Sequence, residues 1–306
     1  MKDVQYENSQ GKTLYVSDMD GTLLDTDSQV SATSAAILAE LSRHGAMVTV
    51  ATARTPATVV PLLRDCRLHV PAIVMTGASL WKWDEESRSG EIRTGDAAED
   101  RCGSFVDAQY IGEDDYAILD EVFAAAHVSP FRYVKSAHTE TLTVYHTREM
   151  NVAERAFYEP RARLTLKHFE LDRMPEPDER RRCMLCFAMG DYDTIERVAR
   201  TVSERTRCAL SFYPDTYDRS IALLEIFASG VSKAAALRRL KADTGARRVV
   251  VFGDNLNDLP MIRCADVSVA VANALPEVKT AADIVIGANS DDSVARYIAE
   301  DFAKGE

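Results

Sequence analysis

The chain of 306 residues is long enough for about two domains, and a hydrophobic content of 46% is sufficient for buried cores. Intrinsic disorder and fibrous architectures are therefore excluded. Its 36 basic and 48 acidic residues give a formal net charge of −12. This excess of acids argues against nucleic acid or an anionic membrane as a bulk partner, because such partners require a basic face.

Cysteine usage and hydropathy bear on where the protein works. Six cysteines are spread along the chain, too sparsely for a disulfide-stapled secreted scaffold. No segment approaches the ~18 apolar residues of a membrane span. The first twelve residues are polar and carry acids, unlike a signal peptide. We therefore expect a soluble, cytoplasmic protein without a membrane partner.

Short apolar runs alternate with helical patterns at the start of the chain. The run Leu14–Ser17 ends abruptly at Asp18, as a buried parallel strand does when it meets a loop. Further segments continue the alternation: a helix over 31–44, a strand over 46–51, a helix over 56–66 and a strand over 72–75. Strands that alternate with helices predict βαβ units, and hence a parallel sheet covered on both faces.

The pattern changes after Trp83, where a polar turn over 84–90 leads into strands of period two with a few helices. Strand and helix alternation returns with the apolar strand 221–226 and continues to a closing helix over 292–302. The simplest fold is a doubly wound α/β domain, 1–83 and 219–306, interrupted by an inserted α+β domain, 84–218.

Asp18 and Asp20 directly follow the first predicted strand, at the sheet edge where open parallel sheets bind ligands. Such a pair can divide the chemistry: one carboxylate attacks an electrophile while the other gives and takes a proton. Asp-X-Asp-Gly also resembles the opening of a calcium loop. That loop requires Glu at its twelfth position, which Gln29 occupies here, so calcium is not expected.

Three later segments place further polar groups at the same edge of the predicted sheet. The second strand ends in Thr52-Ala53-Arg54, Lys233 opens a helix, and the strand 249–252 runs into Gly253-Asp254-Asn255-Leu256-Asn257-Asp258. A hydroxyl, an ammonium and a second acidic cluster should therefore lie near Asp18. Oxygen ligands without histidine or thiolate favour a hard cation such as Mg²⁺.

These four motifs, in this order and structural context, resemble those of the haloacid dehalogenase-like (HAD) hydrolases, in particular the Cof-type phosphatases with a C2-type cap. The resemblance implies a Rossmann-like core with an inserted cap domain that determines substrate specificity. Asp20 also favours phosphate chemistry, because the dehalogenase branch of the family lacks an acid at that position.

The resemblance also implies residue roles. Asp18 would be the nucleophile that becomes an aspartyl-phosphate, and Asp20 the general acid and base. Mg²⁺ would be held by the carboxylates of Asp18 and Asp254 and by the backbone carbonyl of Asp20. A cation is needed because a phosphate dianion repels a carboxylate nucleophile.

The same resemblance assigns the remaining polar residues to the phosphate. Thr52 and Lys233 would bind the phosphoryl oxygens, with Asn257 close by. Asp258 would orient Lys233 or the metal shell. Arg54 is a candidate for phosphate contact or gating, or for an ordinary ion pair.

Four positions depart from the family pattern without removing a catalytic group, so they bear on rate and substrate: Ala53, Thr76, Ala234 and Ala272. Cys183 and Cys186 form a Cys-X-X-Cys in a predicted strand, where a spacing of three sends side chains to opposite faces. We therefore expect packing thiols there, not a metal or redox pair.

The predicted function is a Mg²⁺-dependent phosphatase acting on a small phosphate monoester, either a sugar phosphate or a phosphorylated cofactor. Two alternatives stay open: a hexose phosphomutase or phosphotransferase on the same core, and a non-catalytic regulator that binds a phosphorylated metabolite. No segment of the inserted domain has a spacing that identifies a ligand. The sequence does not predict the oligomeric state.

Overall fold

The computed structural model describes residues 13–84, 102–215 and 218–304. Its contacts divide the chain into two compact units. The described part of the first unit comprises 13–84, 102–106 and 233–304, and that of the second comprises 107–215 and 218–232. Among the described residues, no helix has both the length and the apolar character needed to cross a membrane.

The first unit contains a five-stranded parallel sheet in the order β14-β13-β12-β1-β2. The internal strand β1 pairs with β12 on one side and with β2 on the other, and its residues from Leu14 onwards are buried. A parallel strand covered on both faces is expected to be this apolar. The bounds are β1 Thr13–Ser17, β2 Met47–Val50, β12 Arg248–Gly253, β13 Val267–Ala270 and β14 Ile284–Val285.

Helices connect and cover these strands, and local signals fix where they begin. The Ser31 side chain accepts a hydrogen bond from the Ser34 N–H and so caps the first helix. Proline occupies the first turn of three others, where its missing N–H costs nothing. The helices are α1 Ala32–Arg43, α2 Pro56–Leu63, α7 Lys233–Thr244, α8 Leu259–Ile262, α9 Pro276–Ala281 and α10 Ser293–Lys304.

The predicted third core strand belongs mainly to a separate sheet. Strand β3, Ala72–Val74, pairs antiparallel with β4, Ser79–Trp83, which pairs with β5, Gly103–Val106. A single parallel bridge between Ala51 and Ile73 links β3 to the chain just after β2. Most of the predicted polar turn over 84–90 lies outside the described residues.

The second unit is built on a six-stranded sheet in the order β10-β11-β9-β6-β7-β8, antiparallel except for the β7–β8 pair. Helices α3 and α6 bury their apolar residues against one face of this sheet. The strands are β6 Phe131–Lys135, β7 Leu142–His146, β8 Lys167–Leu171, β9 Cys183–Asp191, β10 Ala209–Pro214 and β11 Ile221–Phe227. The helices are α3 Glu113–Ala126, α4 Val152–Tyr158, α5 Pro177–Arg180 and α6 Tyr192–Arg205.

The expected return of the α/β domain at residue 219 is too early. Strand β11 pairs antiparallel with both β9 and β10, so it belongs to the sheet of the second unit. The first unit resumes at Lys233. Apolar residues alone did not reveal this, because the buried central strands of an antiparallel sheet and of a parallel sheet are both rich in them.

The expectation that Cys183 and Cys186 point to opposite faces is wrong. Tyr133 pairs with Leu185 and Val134 with Cys183, so Met184 is an extra residue in β9, a β-bulge. The bulge resets the alternation and brings the two Sγ atoms to 3.9 Å. Both thiols are buried in the hydrophobic core of the second unit, as expected for packing thiols.

Candidate active site

Asp18 and Asp20 lie where β1 ends and the chain turns sharply over Met19–Leu23. Asp18 is 6% exposed, whereas the Asp20 side chain is about half exposed at 53%. Gly21 between Asp20 and Thr22 has φ of +79°, a conformation that L side chains rarely adopt. The turn therefore gives the two carboxylates different environments only two residues apart.

Lys233, at the start of α7, connects two of the predicted acids. Its Nζ donates to Asp18 Oδ1 at 2.5 Å and to Asp258 Oδ1 at 2.8 Å. The Lys233 side chain is 2% exposed and that of Asp258 is fully buried. The second oxygen of Asp258 accepts the backbone N–H groups of Asp254 and Asn255, both at 3.2 Å. Asp258 thus orients Lys233 and closes the loop after β12.

Asp254 completes an acidic cluster around this lysine. Ligand oxygens of Asp18, Asp254 and Asp258 all lie within 4.8 Å of one another. Thr22 Oγ1 donates to Asp254 Oδ1 at 2.8 Å, and a Cβ added to Gly21 would lie 2.6 Å from Asp254 Oδ2. Only glycine at this position leaves room for the carboxylate.

The charges of this cluster do not balance, since three carboxylates surround one ammonium. Burial raises the pKa of Asp18 to about 8, even though the Lys233 ammonium opposes the shift. Burial also raises the pKa of Asp254 to about 6. Burial alone would lower the pKa of Lys233, but Asp18 and Asp258 outweigh it and hold that pKa above its usual range. Excess negative charge in a buried place favours a bound cation.

Arg54 forms an ion pair with Asp20, the other predicted catalytic acid. Its Nε donates to Asp20 Oδ2 at 2.8 Å and its Nη2 to Asp20 Oδ1 at 2.5 Å, a two-point contact of the kind guanidinium makes with a carboxylate. Hydrogen bonding to Asp20 raises the pKa of Arg54 further. Of the three options left open for Arg54, the structure shows an ion pair, and its partner is Asp20.

Thr52 and Asn257 differ in how they are placed. Thr52 follows β2 and is fully buried, and its Oγ1 accepts the Arg54 N–H at 3.1 Å. Its backbone oxygen accepts the N–H of Thr76, so the loop after β3 supports the loop after β2. Asn257 is exposed in the short turn before Asp258. Thr52 is hydrogen-bonded to Arg54, whereas Asn257 is not linked to these two residues in the described part of the chain.

Two contributors to the site were not singled out in the sequence. Thr22 contacts Asp254, and Asn273 Nδ2 donates to the Gly21 backbone oxygen at 2.7 Å. Thr22 stands directly after Asp-X-Asp-Gly, so its position in the motif was a usable signal. Asn273 is 252 residues from Gly21, and nothing local predicts that contact.

Comparisons with known proteins agree with this geometry. Residues 15–298 match the model of the haloacid dehalogenase-like hydrolases. The chain is 25% identical over 288 residues to the pyridoxal phosphate phosphatase YbhA of Escherichia coli (strain K12), covering 92% of this chain and 95% of that protein. It is 24% identical over 293 residues to the 5-amino-6-(5-phospho-D-ribitylamino)uracil phosphatase YitU of Bacillus subtilis (strain 168), covering 94% and 96%.

Solved structures show the same fold. A haloacid dehalogenase-like hydrolase from Bacteroides thetaiotaomicron superposes with a TM-score of 0.71 at 21% identity, covering 95% of this chain and 99% of that one. The subclass IIB sugar phosphatase BT4131 gives 0.68 at 18% identity, with 95% and 99% covered.

An α/β fold with paired acids after one strand and a buried lysine at a helix start is typical of hydrolases of the phosphoryl-transfer type. The chain belongs to the haloacid dehalogenase-like hydrolases. The predicted family, the α/β fold class and the enzyme class, a phosphatase, are therefore confirmed.

Proposed function

We propose that the protein is a Mg²⁺-dependent phosphatase that hydrolyses a small phosphate monoester through a phosphorylated Asp18. The observation that carries the proposal is the buried contact of Asp18 with Lys233 inside a cluster of three carboxylates. A nucleophilic carboxylate next to an ammonium and a cation site is suited to attack a dianionic phosphoryl group.

The residues present fit a divalent cation. Among the described residues, no hydrogen bond reaches Asp18 Oδ2 or Asp254 Oδ2. Both oxygens of Asp258 are used, so Asp18 and Asp254 are the better ligands. The backbone carbonyl of Asp20 would be the third protein oxygen, as the family resemblance implies. Oxygen donors alone suit Mg²⁺. When bound, the ion would neutralise charge on the phosphoryl group and on these acids.

The side chains then divide the chemistry. An Asp18 oxygen attacks phosphorus while the bond to the leaving oxygen breaks, and Asp20 gives that oxygen its proton, which releases the alcohol. Asp20 next takes a proton from water, whose oxygen attacks phosphorus and releases inorganic phosphate from Asp18. Lys233 and Thr52 bind the phosphoryl oxygens throughout.

Arg54 takes part in this cycle because it donates two hydrogen bonds to the Asp20 carboxylate. A phosphate dianion is an equally good partner for a guanidinium. Substrate would therefore compete with Asp20 for Arg54, and the carboxyl group of Asp20 would be released to act on the leaving oxygen.

The substrate class follows from the relatives. The names of YbhA and YitU specify phosphate esters of small metabolites, and BT4131 is named a sugar phosphatase. These names support a small monoester for this chain. We propose in addition that the second unit determines specificity.

The test is phosphate release from a panel of sugar phosphates and phosphorylated cofactors, with Mg²⁺ and with chelator. We expect release with Mg²⁺ only, and a loss of roughly 10³-fold or more in Asp18→Asn. Asp27→Asn, at an exposed acid of the following turn, is the matched control and should keep full activity. Activity that survives both chelation and Asp18→Asn would refute the mechanism. Interconversion of hexose phosphates without phosphate release would identify a phosphomutase instead.

A further inference from the structure

Lys167 in the second unit is a buried cation whose surroundings do not stabilise its charge. It begins the edge strand β8 and is 8% exposed. Its Nζ lies 5.2 Å from the centre of the Tyr133 ring and 5.9 Å from that of Phe169. Among the described residues, no carboxylate forms an ion pair with it.

The strand register explains why these three side chains meet. Tyr133 is opposite Val144, and Val144 is opposite Phe169, so Tyr133 and Phe169 lie on one face across three strands. Lys167 precedes Phe169 by two residues and shares that face. Helices α3 and α6 cover the opposite face, which holds Val134 and Tyr145.

A second cation makes this location still less favourable for an ammonium. Arg161, just after α4, lies over the Phe157 ring at 4.1 Å and donates to the Phe157 backbone oxygen. Burial, and then the charge of Arg161, lower the pKa of Lys167 to about 7. On this face, Glu225 of β11 raises the pKa of Tyr133. It is not among the groups that shift the pKa of Lys167.

Cation–π attraction to two rings is weaker than the cost of burying an unpaired ammonium beside another cation. A group that destabilises the folded chain in this way is common where a ligand supplies the missing charge. An anion would satisfy Lys167, and Arg161 and the Tyr133 hydroxyl are further donors of the kind that bind carboxylates and phosphates.

We infer that Lys167 is the anchor of an anion-binding subsite in the second unit, with Arg161 and Tyr133 beside it, and that this subsite takes a carboxylate or phosphate group of a small molecule. This group differs from the phosphoryl group that Asp18 attacks. The subsite does not rest on the proposed phosphatase function.

The direct test is calorimetric titration of the metal-free full chain with inorganic phosphate and with succinate, at ionic strength balanced by chloride. We expect Lys167→Met to weaken binding of succinate, and of one class of bound phosphate, about tenfold or more. Lys167→Arg, which keeps the charge, should stay within about threefold of wild type. Lys82→Met, at an exposed lysine of β4, is the control and should bind like wild type. Unchanged binding by Lys167→Met would overturn the inference.

Thermal stability separates a ligand site from a structural cation. Methionine has a similar length and no charge, so Lys167→Met without anions should melt higher than wild type, by about 2–4 °C. Added succinate should raise the melting temperature of wild type and not that of Lys167→Met. A lower melting temperature of Lys167→Met, with succinate still stabilising it, would show that Lys167 is structural.

A measurement on wild type covers the case in which Lys167→Met does not fold. Acetic anhydride labels neutral amines, and mass spectrometry reports the rate at each lysine. Succinate should slow labelling of Lys167 at least about threefold relative to Lys82, because a bound anion favours the charged form. Equal slowing at both lysines would contradict the subsite.

Phosphatase assays keep the subsite apart from the proposed function. A protein without phosphatase activity would refute the proposed function, and the titration and labelling would still decide the subsite.

Discussion

Asp18 has a buried carboxylate that is unfavourable for folding. In the metal-free protein its raised pKa means that the folded state holds a proton that the unfolded state has lost above about pH 4. Asp18→Asn should therefore melt higher than wild type at pH 8 in chelator, while its phosphatase activity is lost. Melting curves of both proteins check this. A lower melting temperature for Asp18→Asn would show that the contact with Lys233 outweighs the repulsion and burial.

Gly21 meets two requirements, a positive φ and space for the Asp254 carboxylate. Gly21→Ala would combine a positive φ, which costs about 1–2 kcal/mol for an L residue, with a Cβ only 2.6 Å from Asp254 Oδ2. We expect this variant to lose activity by about 100-fold and to bind Mg²⁺ more weakly. Gly245→Ala has φ of +67° and nothing within 4 Å, so it should lose stability but keep activity. Equal activities of the two variants would show that the contact with Asp254 is unimportant.

Arg54 provides a third test at the same scale. Arg54→Ala should raise KM about tenfold, or about 1.4 kcal/mol, because a guanidinium that binds phosphate is lost. Arg54→Lys should recover part of the loss, since lysine keeps the charge but not the two-point contact. Steady-state kinetics measure both. Arg43→Ala, which removes an exposed arginine of α1, is the control, and a KM as high in that variant would exclude a specific role for Arg54.

The positions of site residues were predictable from the sequence where those residues belong to a short motif near a strand end. Asp18, Asp20, Asp254 and Asp258 all lie within a few residues of a strand end, so sequence alone placed them at one edge. The partner of Asp20 was not predictable, because Arg54 reaches it across 34 residues and only the folded sheet brings them together. Lys167 carried no signal at all, since a lysine in a strand is ordinary until its burial is known.

At the scale of elements, the N-terminus of α1 depends on a residue from the far end of the chain. Asp292, just before α10, accepts hydrogen bonds from Ser31 and Ser34 at the start of α1. Asp292→Ala should lower the free energy of unfolding by about 1–3 kcal/mol, because two hydroxyl groups lose a charged acceptor. Chemical denaturation measures this. Asp291→Ala, at the neighbouring acid, is the control and should cost less, and equal losses would assign the effect to the turn.

The starts of α1 and α2 agree with the prediction to within one residue, because a cap and a proline define them. The predictions were wrong where the pairing partners of a strand determine its sheet or the faces of its side chains. Strand β11 was assigned to the wrong sheet, and the bulge at Met184 reversed the expected faces of Cys183 and Cys186. Both depend on strands that are distant in sequence, and a pattern of period two does not encode an inserted residue.

For the whole molecule, the raised pKa values of Asp18 and Asp254 couple stability and metal binding to pH. Carboxyl groups with raised pKa bind protons in the folded state, so the metal-free protein should lose stability as pH rises from about 4 to 8. Mg²⁺ competes with those protons, so the increase in melting temperature produced by Mg²⁺ should grow from pH 5 to pH 8. Melting curves at fixed Mg²⁺ measure it. An increment independent of pH would show that neither acid is a ligand.

The first unit is built from both ends of the chain, and this affects how the protein folds during its synthesis. Strand β1 is an internal strand of its sheet, yet its partner β12 begins about 230 residues after β1 ends. A ribosome adding 5–20 residues per second needs roughly 12–46 s to cover that distance. During this interval one edge of this buried strand has no partner, while the second unit is completed. Newly made chains should therefore depend on chaperones that bind extended apolar segments, and Lys233 and Asp254 reach Asp18 only after most of the protein has been translated.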